Sequence, residues 1–426
     1  MNTTYIRQFF QECKTKPYLC FVSIFGTAFA ITLIMMYVMA HRSFMINIEP
    51  EVNRERTLYV KWVGMINKET GHHVGDGYLS LKTIRECFQS LKTAENICII
   101  SPIKLELSSI KNGLPKKSFI LFTDDVFWKI MDFKFIDGIP YTKAEFDAGI
   151  RKTVIGESLC LSLFGTVENI VGSTIEFNHI PYTICGIVKD VTTRATYSFA
   201  NAWVPFTSVP PAPPTDPENI TGNYKCMIVA HSSNDFEKIR KEVQQQINRY
   251  NSSLTENEIT LYRQPDTKYV EEMRFGSGYP HMREKYIELA VTLMVILLVP
   301  ALNLSGLTSS RLKDRMGELG IRKAFGGTRW NIIKQILLEN MILSLIGGLI
   351  GLIISYFGMY IVREWVFTST TYFSLNIDPD IPTKVLINPG TFIIAFLFCT
   401  LLNLLSTAIP AWRITSQPIV ESLKNT

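Results

Sequence analysis

Few residues in this sequence have types and spacing that could support chemistry. His72, His73 and Asp76 lie in a glycine-rich stretch and could contribute to a metal site. Zinc needs three or four converging ligands, and adjacent side chains diverge, so a solvated turn is the favoured interpretation. Asp124 and Asp125 could act as catalytic carboxylates. They precede an amphipathic segment, where aspartates more commonly cap the N-terminus of a helix.

The cysteines are the other candidates for reactive groups. The chain has eight of them, and five lie between residues 41 and 285: Cys87, Cys98, Cys160, Cys185 and Cys226. An odd number cannot all pair within the chain, and three of the five fall in predicted strands. Buried thiols are therefore the preferred prediction.

Motifs of nucleotide-binding and hydrolytic sites are absent from the sequence. It contains no G-x-x-x-x-G-K-[ST], no H-E-x-x-H and no G-x-S-x-G pattern. We expect no catalytic residue, no metal and no cofactor on this chain. Glu339 borders a long apolar run, where a charge is a functional candidate unless water hydrates it near the membrane surface.

Four charge-free runs dominate the chain and must position everything else. They cover 17–40, 289–310, 340–362 and 385–412. A membrane-spanning helix needs about 20 apolar residues. Charged residues make up 19% of the chain, against about 25% in soluble proteins. The runs predict four membrane helices, and the small net charge of +5 gives no indication of nucleic-acid binding.

The orientation follows from the distribution of Lys and Arg. Seven basic residues lie between 311 and 334, and three lie in 1–16, whereas the loop 363–384 has two. Basic segments stay in the cytoplasm. Both termini and the 311–334 segment are therefore expected in the cytoplasm, with the region 41–285 exported across the membrane.

The exported region is predicted to be an α+β domain. Two β-α-β units are expected over 57–101 and 225–264, with helices at 79–91 and 235–248, and Ser233 or Asn234 is a plausible cap of the second helix. A strand is expected over 57–63. The intervening region is strand-rich and is interpreted as an inserted β-rich subdomain, 117–206.

The fold class is thus a four-helix membrane protein with an extracytoplasmic α+β domain. Residues 265–288 are polar, contain glycines, and are expected to form a stalk that continues into the second membrane helix. The expected segments are a cytoplasmic N-terminus 1–16, membrane helices 17–40, 286–310, 335–362 and 385–412, a periplasmic domain 41–285, a cytoplasmic segment 311–334, a loop 363–384 and a cytoplasmic tail 413–426.

Two features of the membrane helices suggest packing rather than a substrate channel. Gly347, Gly348 and Gly351 have the small-residue spacing that permits close approach of a partner helix. Pro300 is expected to kink the second helix near its middle.

The most specific pattern in the chain lies at residues 309–340. Residues 315–328 fit R-x-x-E-(I/L)-G-(I/V)-R-(K/R)-A-(L/F)-G-(A/G)-(T/S), and residues 335–339 fit Q-x-(L)-x-E. This stretch resembles the segment after the second membrane helix in the MacB/FtsX family of ABC-transporter permeases. The C-terminal IPAWR and PIVESL resemble the family's ending, although Thr415 stands where a small residue is common. TVIGE and YTICGIVKD resemble pieces of its periplasmic core domain.

The resemblance implies that the two β-α-β units form a porter-like subdomain beside the β-rich insert. It also implies an ATPase-docking role for part of the cytoplasmic segment. The residues concerned are Arg315, Gly317, Glu318, Gly320, Ile321, Arg322, Lys323, Ala324, Phe325, Gly326 and Thr328. The basic, amphipathic character of this segment alone favours a helix lying on anionic lipid; the resemblance favours docking.

The function implied is that of a permease subunit driven by a separate ABC ATPase, which would hold the ATP and Mg. Closure of the ATPase would be transmitted through 41–60 and 265–288 to export a peptide, antibiotic or toxin. Further expected partners are a second permease copy or a paralogue, a periplasmic adaptor, an outer-membrane channel and the lipid bilayer. The alternative is a LolC/FtsX-like permease that releases lipoproteins or activates a cell-wall hydrolase.

Overall fold

The computed structural model describes residues 14, 17–42, 45–111, 113–210, 213–296, 298, 321, 325–326, 328–367 and 389–415. The helices in these ranges are α1 (Pro17–Arg42), α2 (Leu81–Phe88), α3 (Phe127–Ile130), α4 (Lys143–Asp147), α5 (Glu157–Phe164), α6 (Phe236–Ser253), α7 (Lys268–Met273), α8 (282–296), α9 (Arg329–Phe367) and α10 (Pro389–Thr415). The strands are β1 (Thr57–Val60), β2 (Val63–Asn67), β3 (His73–Leu79), β4 (Ala94–Ile100), β5 (Lys104–Ser109), β6 (Lys116–Thr123), β7 (Phe135–Gly138), β8 (Lys152–Gly156), β9 (Thr174–Phe177), β10 (Ile180–Val188), β11 (Ala202–Pro205), β12 (Thr221–Gly222), β13 (Lys225–Ala230), β14 (Asn257–Thr260) and β15 (Asp266–Thr267).

The chain divides into two units, and the first contains α1, α8, α9 and α10. Among the described residues, two helical stretches are long and apolar enough to cross a membrane: Cys20–His41 and Arg329–Val362. α10 packs against α1. Most of the second predicted membrane helix lies outside the described residues, so the count of four remains a prediction.

The second unit, Ser43–His281, is built on a large sheet. The strand order is β11-β8-β10-β9-β5-β6-β4-β13-β1-β15, with β7 paired to β10. β11 also pairs in parallel with β6, so that β6, β5, β9, β10, β8 and β11 close into a ring. Trp203 of β11 is fully buried. Gly138 has a φ of 73°, and a Cβ there would lie 2.3 Å from the Cys185 carbonyl oxygen, so the β7–β10 contact requires glycine.

A smaller sheet has the order β12-β3-β2-β14. α2 and α6 pack together near it. Apolar residues at helical spacing explain this packing, because α6 buries Ile239, Val243 and Ile247. α2 begins at a capped end, where the Ser80 hydroxyl accepts a hydrogen bond from the Thr83 amide at 3.0 Å.

Two local predictions need correction, and one hairpin was missed. The strand expected over 57–63 is interrupted, because the Gln264 side-chain oxygen accepts hydrogen bonds from the Lys61 and Trp62 amides at 2.7 and 3.2 Å. The β2–β3 hairpin was not predicted, since its second strand lies in the glycine-rich stretch. Ser232, one residue before the expected cap, accepts from the Asn234 amide and precedes a 3-10 turn that leads into α6.

The strand-rich region 117–206 is not a separate subdomain. Its strands continue the sheet of the flanking β-α-β regions. The region 117–206 was predicted to be strand-rich, and β6, β8, β9 and β10 lie in it. β6 pairs with β4 through Ile100 and Thr123, so one sheet runs through both regions.

Candidate functional site

The glycine-rich stretch that contains His72 and His73 has a structural role. From His73 onward it forms strand β3 rather than a turn. His73 begins β3, and its Nε2 lies 2.8 Å from Oδ1 of Asp76. Asp76 also accepts hydrogen bonds from the Tyr262 hydroxyl at 2.5 Å and the Ser277 hydroxyl at 2.6 Å. Asp76 therefore ties the hairpin to the segment before α8. No cluster of three or more His, Cys, Asp or Glu residues suited to a metal occurs among the described residues.

Asp124 was predicted to cap a helix, but the residue at the N-cap of α3 is Val126, and Asp124 instead accepts hydrogen bonds from two backbone amides. Its Oδ1 accepts from the Phe127 amide at 2.9 Å, and its Oδ2 accepts from the Ile99 amide at 2.7 Å. Burial raises the pKa of Asp124 to about 7, although these two amide donors oppose the shift. The carboxylate therefore holds β4 against the start of α3.

The five cysteines of the second unit are buried and free, as predicted. Burial raises the pKa of Cys87 and of Cys185 to about 12. A thiol with such a pKa stays protonated at neutral pH and is a poor nucleophile. These cysteines therefore contribute apolar packing.

The feature that sequence reasoning missed is a group of buried charges, which we call the junction cluster: Glu51, Arg54, Lys268, Glu271 and Glu272. Arg54 Nε lies 2.7 Å from Glu51 Oε2, and both side chains are almost fully buried. Lys268 Nζ lies 3.1 Å from Glu271 Oε2 and 2.7 Å from Glu272 Oε1. The only sequence signal was spacing of three or four residues between opposite charges, which is equally common on exposed helices.

The junction cluster lies where the chain segment that follows α1 meets the chain segment that precedes α8. Glu51 and Arg54 follow α1 in the chain, and Lys268 belongs to α7, which precedes α8. Both segments bind the same loop. Glu51 Oε1 accepts from the Tyr197 amide at 2.8 Å, and Lys268 Nζ donates to the Thr196 hydroxyl at 2.7 Å.

The electrostatics favour the charged forms of this cluster. Burial alone would raise the pKa of Glu51, but Arg54 and Lys268 bring it below its usual value. Removing one partner of a buried ion pair costs about 3–5 kcal/mol. The two segments therefore cannot slide past the 196–198 loop without breaking strong contacts.

A second buried pair fixes the end of α7. Arg274 donates from Nε and Nη2 to Asp266 at 2.6 and 3.0 Å. Its Nη1 donates to the carbonyl oxygens of Ser277 and Gly278 at 2.7 and 2.8 Å. The segment predicted as a stalk is thus held by hydrogen bonds as far as residue 278.

The predicted ATPase-coupling residues are described only in part. Arg315, Gly317, Glu318, Gly320, Arg322, Lys323 and Ala324 lie outside the described residues, as does Pro300. Phe325 is 88% exposed and Ile321 51% exposed. Gly326 has a φ of 91°, which favours glycine, and the Thr328 carbonyl accepts from the Asn331 amide at 3.1 Å at the start of α9. α9 therefore begins six residues before the predicted membrane span.

The predicted packing glycines lie against two other helices. A Cβ at Gly351 would lie 2.6 Å from the Ala28 carbonyl oxygen of α1, and one at Gly347 would lie 2.9 Å from the Ile24 carbonyl oxygen. A Cβ at Gly348 would lie 2.6 Å from the Phe396 ring of α10. Close approach of this kind brings helix backbones into contact.

Glu339 also has a local partner. The Gln335 side-chain amide donates to its Oε1 at 2.9 Å, one turn earlier on α9. This contact satisfies one carboxylate oxygen within the helix.

Comparison with known proteins assigns the class. The model of the MacB-like periplasmic core domain matches residues 20–246, and that of the FtsX-like permease C-terminal domain matches 290–419. The chain belongs to the MacB/FtsX family of ABC-transporter permeases. This family comprises membrane-embedded permease components with a domain outside the cytoplasm.

Three relatives show the range of the family. The chain is 27% identical over 245 residues to the uncharacterized ABC transporter permease YknZ of Bacillus subtilis (strain 168), covering 56% of each chain. It is 23% identical over 267 residues to the pyoverdine export ATP-binding/permease protein PvdT of Pseudomonas syringae pv. syringae (strain B728a), covering 60% of this chain and 38% of the relative. It is 20% identical over 270 residues to the macrolide export ATP-binding/permease protein MacB of Nitrobacter winogradskyi (strain ATCC 25391 / DSM 10237 / CIP 104748 / NCIMB 11846 / Nb-255), covering 62% and 40%. The match thus spans only 38–56% of these curated relatives.

Two crystal structures are similar to part of the chain. One is the extracellular domain of YknZ from Gram-positive bacteria, at 15% identity and a TM-score of 0.35, covering 47% of this chain and 99% of that one. The other is the periplasmic region of MacB from Actinobacillus actinomycetemcomitans, at 14% identity and a TM-score of 0.32, covering 47% and 88%.

Proposed function

We propose that this chain is the membrane subunit of an ABC exporter that is driven by a separate cytoplasmic ATPase. The sequence has the permease segments but no P-loop, so ATP and Mg would bind to the partner. Two permease copies, or this chain and a paralogue, would enclose the pathway. A periplasmic adaptor and an outer-membrane channel would extend it outward.

In this proposal the chain crosses the inner membrane of a bacterium four times, with both termini in the cytoplasm. Closure of the ATPase would push on the 311–334 segment. The movement would pass along the membrane helices into 41–60 and 265–288. The junction cluster supports this route, because it fastens both segments to one loop of the exported domain.

The observation that carries the proposal is the exposure of apolar side chains in the predicted coupling motif and just after it. Phe325 is 88% exposed, Ile321 51% and Trp330 69%. A group of exposed apolar residues marks an interaction surface. Fully burying one phenylalanine contributes about 1.5–3 kcal/mol. Its loss from a docking surface would weaken ATPase binding by about 10- to 150-fold.

The test compares two matched substitutions in the full chain. Phe325→Asp lies in the proposed docking surface, whereas Phe275→Asp changes a fully exposed phenylalanine in the other unit. Tagged chains are purified from native membranes in mild detergent. A co-purified protein with a P-loop is identified by mass spectrometry, and its ATPase activity is measured. We expect Phe325→Asp to lose the ATPase and Phe275→Asp to retain it.

Substitution of the motif gives a second arm. Glu318→Lys and Arg322→Glu should also lose the ATPase while the chain still inserts into the membrane. If the ATPase stays bound to all three variants, the docking role is wrong. If Phe325→Asp keeps the ATPase but binds lipid more weakly, the segment would be assigned to the lipid surface instead.

The cargo is tested separately. Increased sensitivity of a deletion strain to a peptide, antibiotic or toxin would support export. A lipoprotein or a cell-wall hydrolase bound to the exported domain would favour the LolC/FtsX-like alternative.

A further inference from the structure

A polar cavity of about 230 Å³ lies in the Ser43–His281 unit. Lys225 of β13, Lys61 and Arg274 contribute cationic side chains to its lining, and Glu271 and Glu272 contribute carboxylates. An apolar part of the wall is formed by Ile100, Ile103 and Leu121. The cavity thus combines charged groups with a short apolar surface, as small-molecule sites do.

Most of the charged side chains in the lining have a charged partner. Arg274 pairs with Asp266, and Lys268 pairs with both glutamates of the lining. Lys61 Nζ lies 3.8 Å from Glu271 Oε1.

Lys225 is the exception within the described chain. No carboxylate of the described residues lies at ion-pair distance from its ammonium. Its contacts are with the rings of Tyr197 and Tyr78, whose centroids lie 5.4 and 5.6 Å from Nζ. An ammonium whose closest contacts are aromatic rings leaves its hydrogen-bonding capacity unused.

The charges of the lining and its ion-pair partners leave one positive charge in excess. The cations are Lys61, Lys225, Lys268 and Arg274, and the carboxylates are Asp266, Glu271 and Glu272. One excess charge suits a monoanion. A dianion such as phosphate would be repelled by Glu271 and Glu272, which line the same space.

We propose that this cavity binds a small monocarboxylate, with its carboxylate beside Lys225 and a short apolar body against Ile100, Ile103 and Leu121. Such a ligand would contact both the large sheet and α7, and it would therefore strengthen the link between the domain and the segment before α8. The site goes beyond the proposed transport function and requires no ATPase.

The pKa of Lys225 allows a second test of the site, through the pH dependence of anion binding. Burial and Lys61 lower this pKa to about 8, with Lys268 adding to the effect and Glu271 and Glu272 opposing it. Tyr78 and Tyr197 are the other titratable groups beside the ammonium, and burial raises the pKa of both. Between about pH 7 and pH 9.5, loss of the Lys225 proton should therefore dominate any change in anion binding.

The experiment is isothermal titration of the full chain in lipid nanodiscs, with sodium butyrate as the probe. We expect one butyrate to bind per chain, and inorganic phosphate to bind more weakly. Lys225→Met should weaken butyrate binding by about tenfold or more, because a charged hydrogen bond is lost. Lys225→Arg should retain binding, and so should Lys241→Met, which changes an exposed lysine on α6.

The pH series covers the possibility that Lys225→Met fails to fold. The native chain should bind butyrate about tenfold or more weakly at about pH 9.5 than at about pH 7. Lys225→Arg should lose much less affinity over this interval, because arginine stays protonated. The proposal is overturned if the native chain does not bind butyrate, if folded Lys225→Met binds it with native affinity, if phosphate binds more tightly, or if binding is independent of pH. None of these outcomes affects the ATPase test.

Discussion

Replacing Glu51 by alanine removes the carboxylate that joins two parts of the exported domain. Glu51 accepts four hydrogen bonds: from Arg54 Nε at 2.7 Å, the Tyr197 amide at 2.8 Å, and the Ser198 amide and hydroxyl at 3.0 and 3.1 Å. In the Glu51→Ala variant the Arg54 guanidinium stays buried without its counter-charge. The Tyr197 amide also loses its acceptor, and the Ser198 amide keeps only its hydrogen bond to the Ala195 carbonyl at 2.9 Å.

The expected cost follows from the burial of the pair. Breaking a buried ion pair by removing one partner costs about 3–5 kcal/mol. The side chains of Arg54 and Glu51 are 0% and 2% exposed, so solvent cannot replace the lost contact. An exposed pair offers the matched control. Arg56 and Glu95 form an ion pair with about a third of each side chain exposed, and such pairs contribute about 0–1 kcal/mol.

Hydrogen exchange of the full chain measures the effect at the affected amides. The Tyr197 and Ser198 amides should exchange roughly 10²- to 10³-fold faster, or more, in Glu51→Ala than in the native chain. In Glu95→Ala the same amides should change by less than about tenfold. Native protection of these amides in Glu51→Ala would refute the view that the cluster holds the domain together.

Two further predictions concern packing and charge. Gly351→Val should lower the thermal stability of the membrane unit by about 1–3 kcal/mol, because a Cβ there would lie 2.6 Å from the Ala28 carbonyl oxygen; Leu349→Val, at an exposed site on α9, should have little effect in the same melting assay. Asp124 has a folded-state pKa of about 7 against an ordinary 3.8, so the native chain loses stability as the pH rises between these values. Asp124→Asn should gain stability relative to the native chain over this interval, by up to about 1.36 kcal/mol per pH unit. Urea unfolding at several pH values measures the difference, and a pH-independent difference would contradict the assignment.

Elements with strong local signals were predictable from the sequence. The apolar runs anticipated α1, α9 and α10 because membrane helices need an unbroken apolar length. The helix expected at 79–91 appears as α2, since Ser80 caps it and its apolar residues recur at helical spacing. The long α6 was anticipated for the same reason.

Features that depend on distant partners were not predictable. The strand over 57–63 is broken by the side chain of Gln264, about two hundred residues later in the sequence. The ring of strands closes through the pairing of β11 with β6, which are separated by about eighty residues. Local patterning describes one strand at a time and cannot specify such pairings.

The candidate site was the hardest part to predict, because burial of its charges has no local signature. Glu51 and Arg54 are spaced like a solvent-exposed helical pair. Lys225 lies in a strand whose other residues are apolar. This is the only sequence feature that distinguishes it from an ordinary exposed lysine. The docking role of the 311–334 segment is implied by resemblance alone, and of the predicted residues Ile321 and Phe325 are described as exposed.

The nature of the junction cluster explains why charges, rather than apolar residues, connect the two segments. Apolar side chains of similar volume often give equal or greater stability than a buried ion pair, so stability alone does not require this cluster. Apolar contacts are non-directional, however, and tolerate small shifts of one segment along another. Hydrogen-bonded ion pairs have defined distances and partners. Glu51 fixes the segment after α1 to the Tyr197 and Ser198 amides, and Lys268 fixes the segment before α8 to Thr196. Directional contacts therefore fix both segments to residues 196–198, which apolar packing of equal stability would not do.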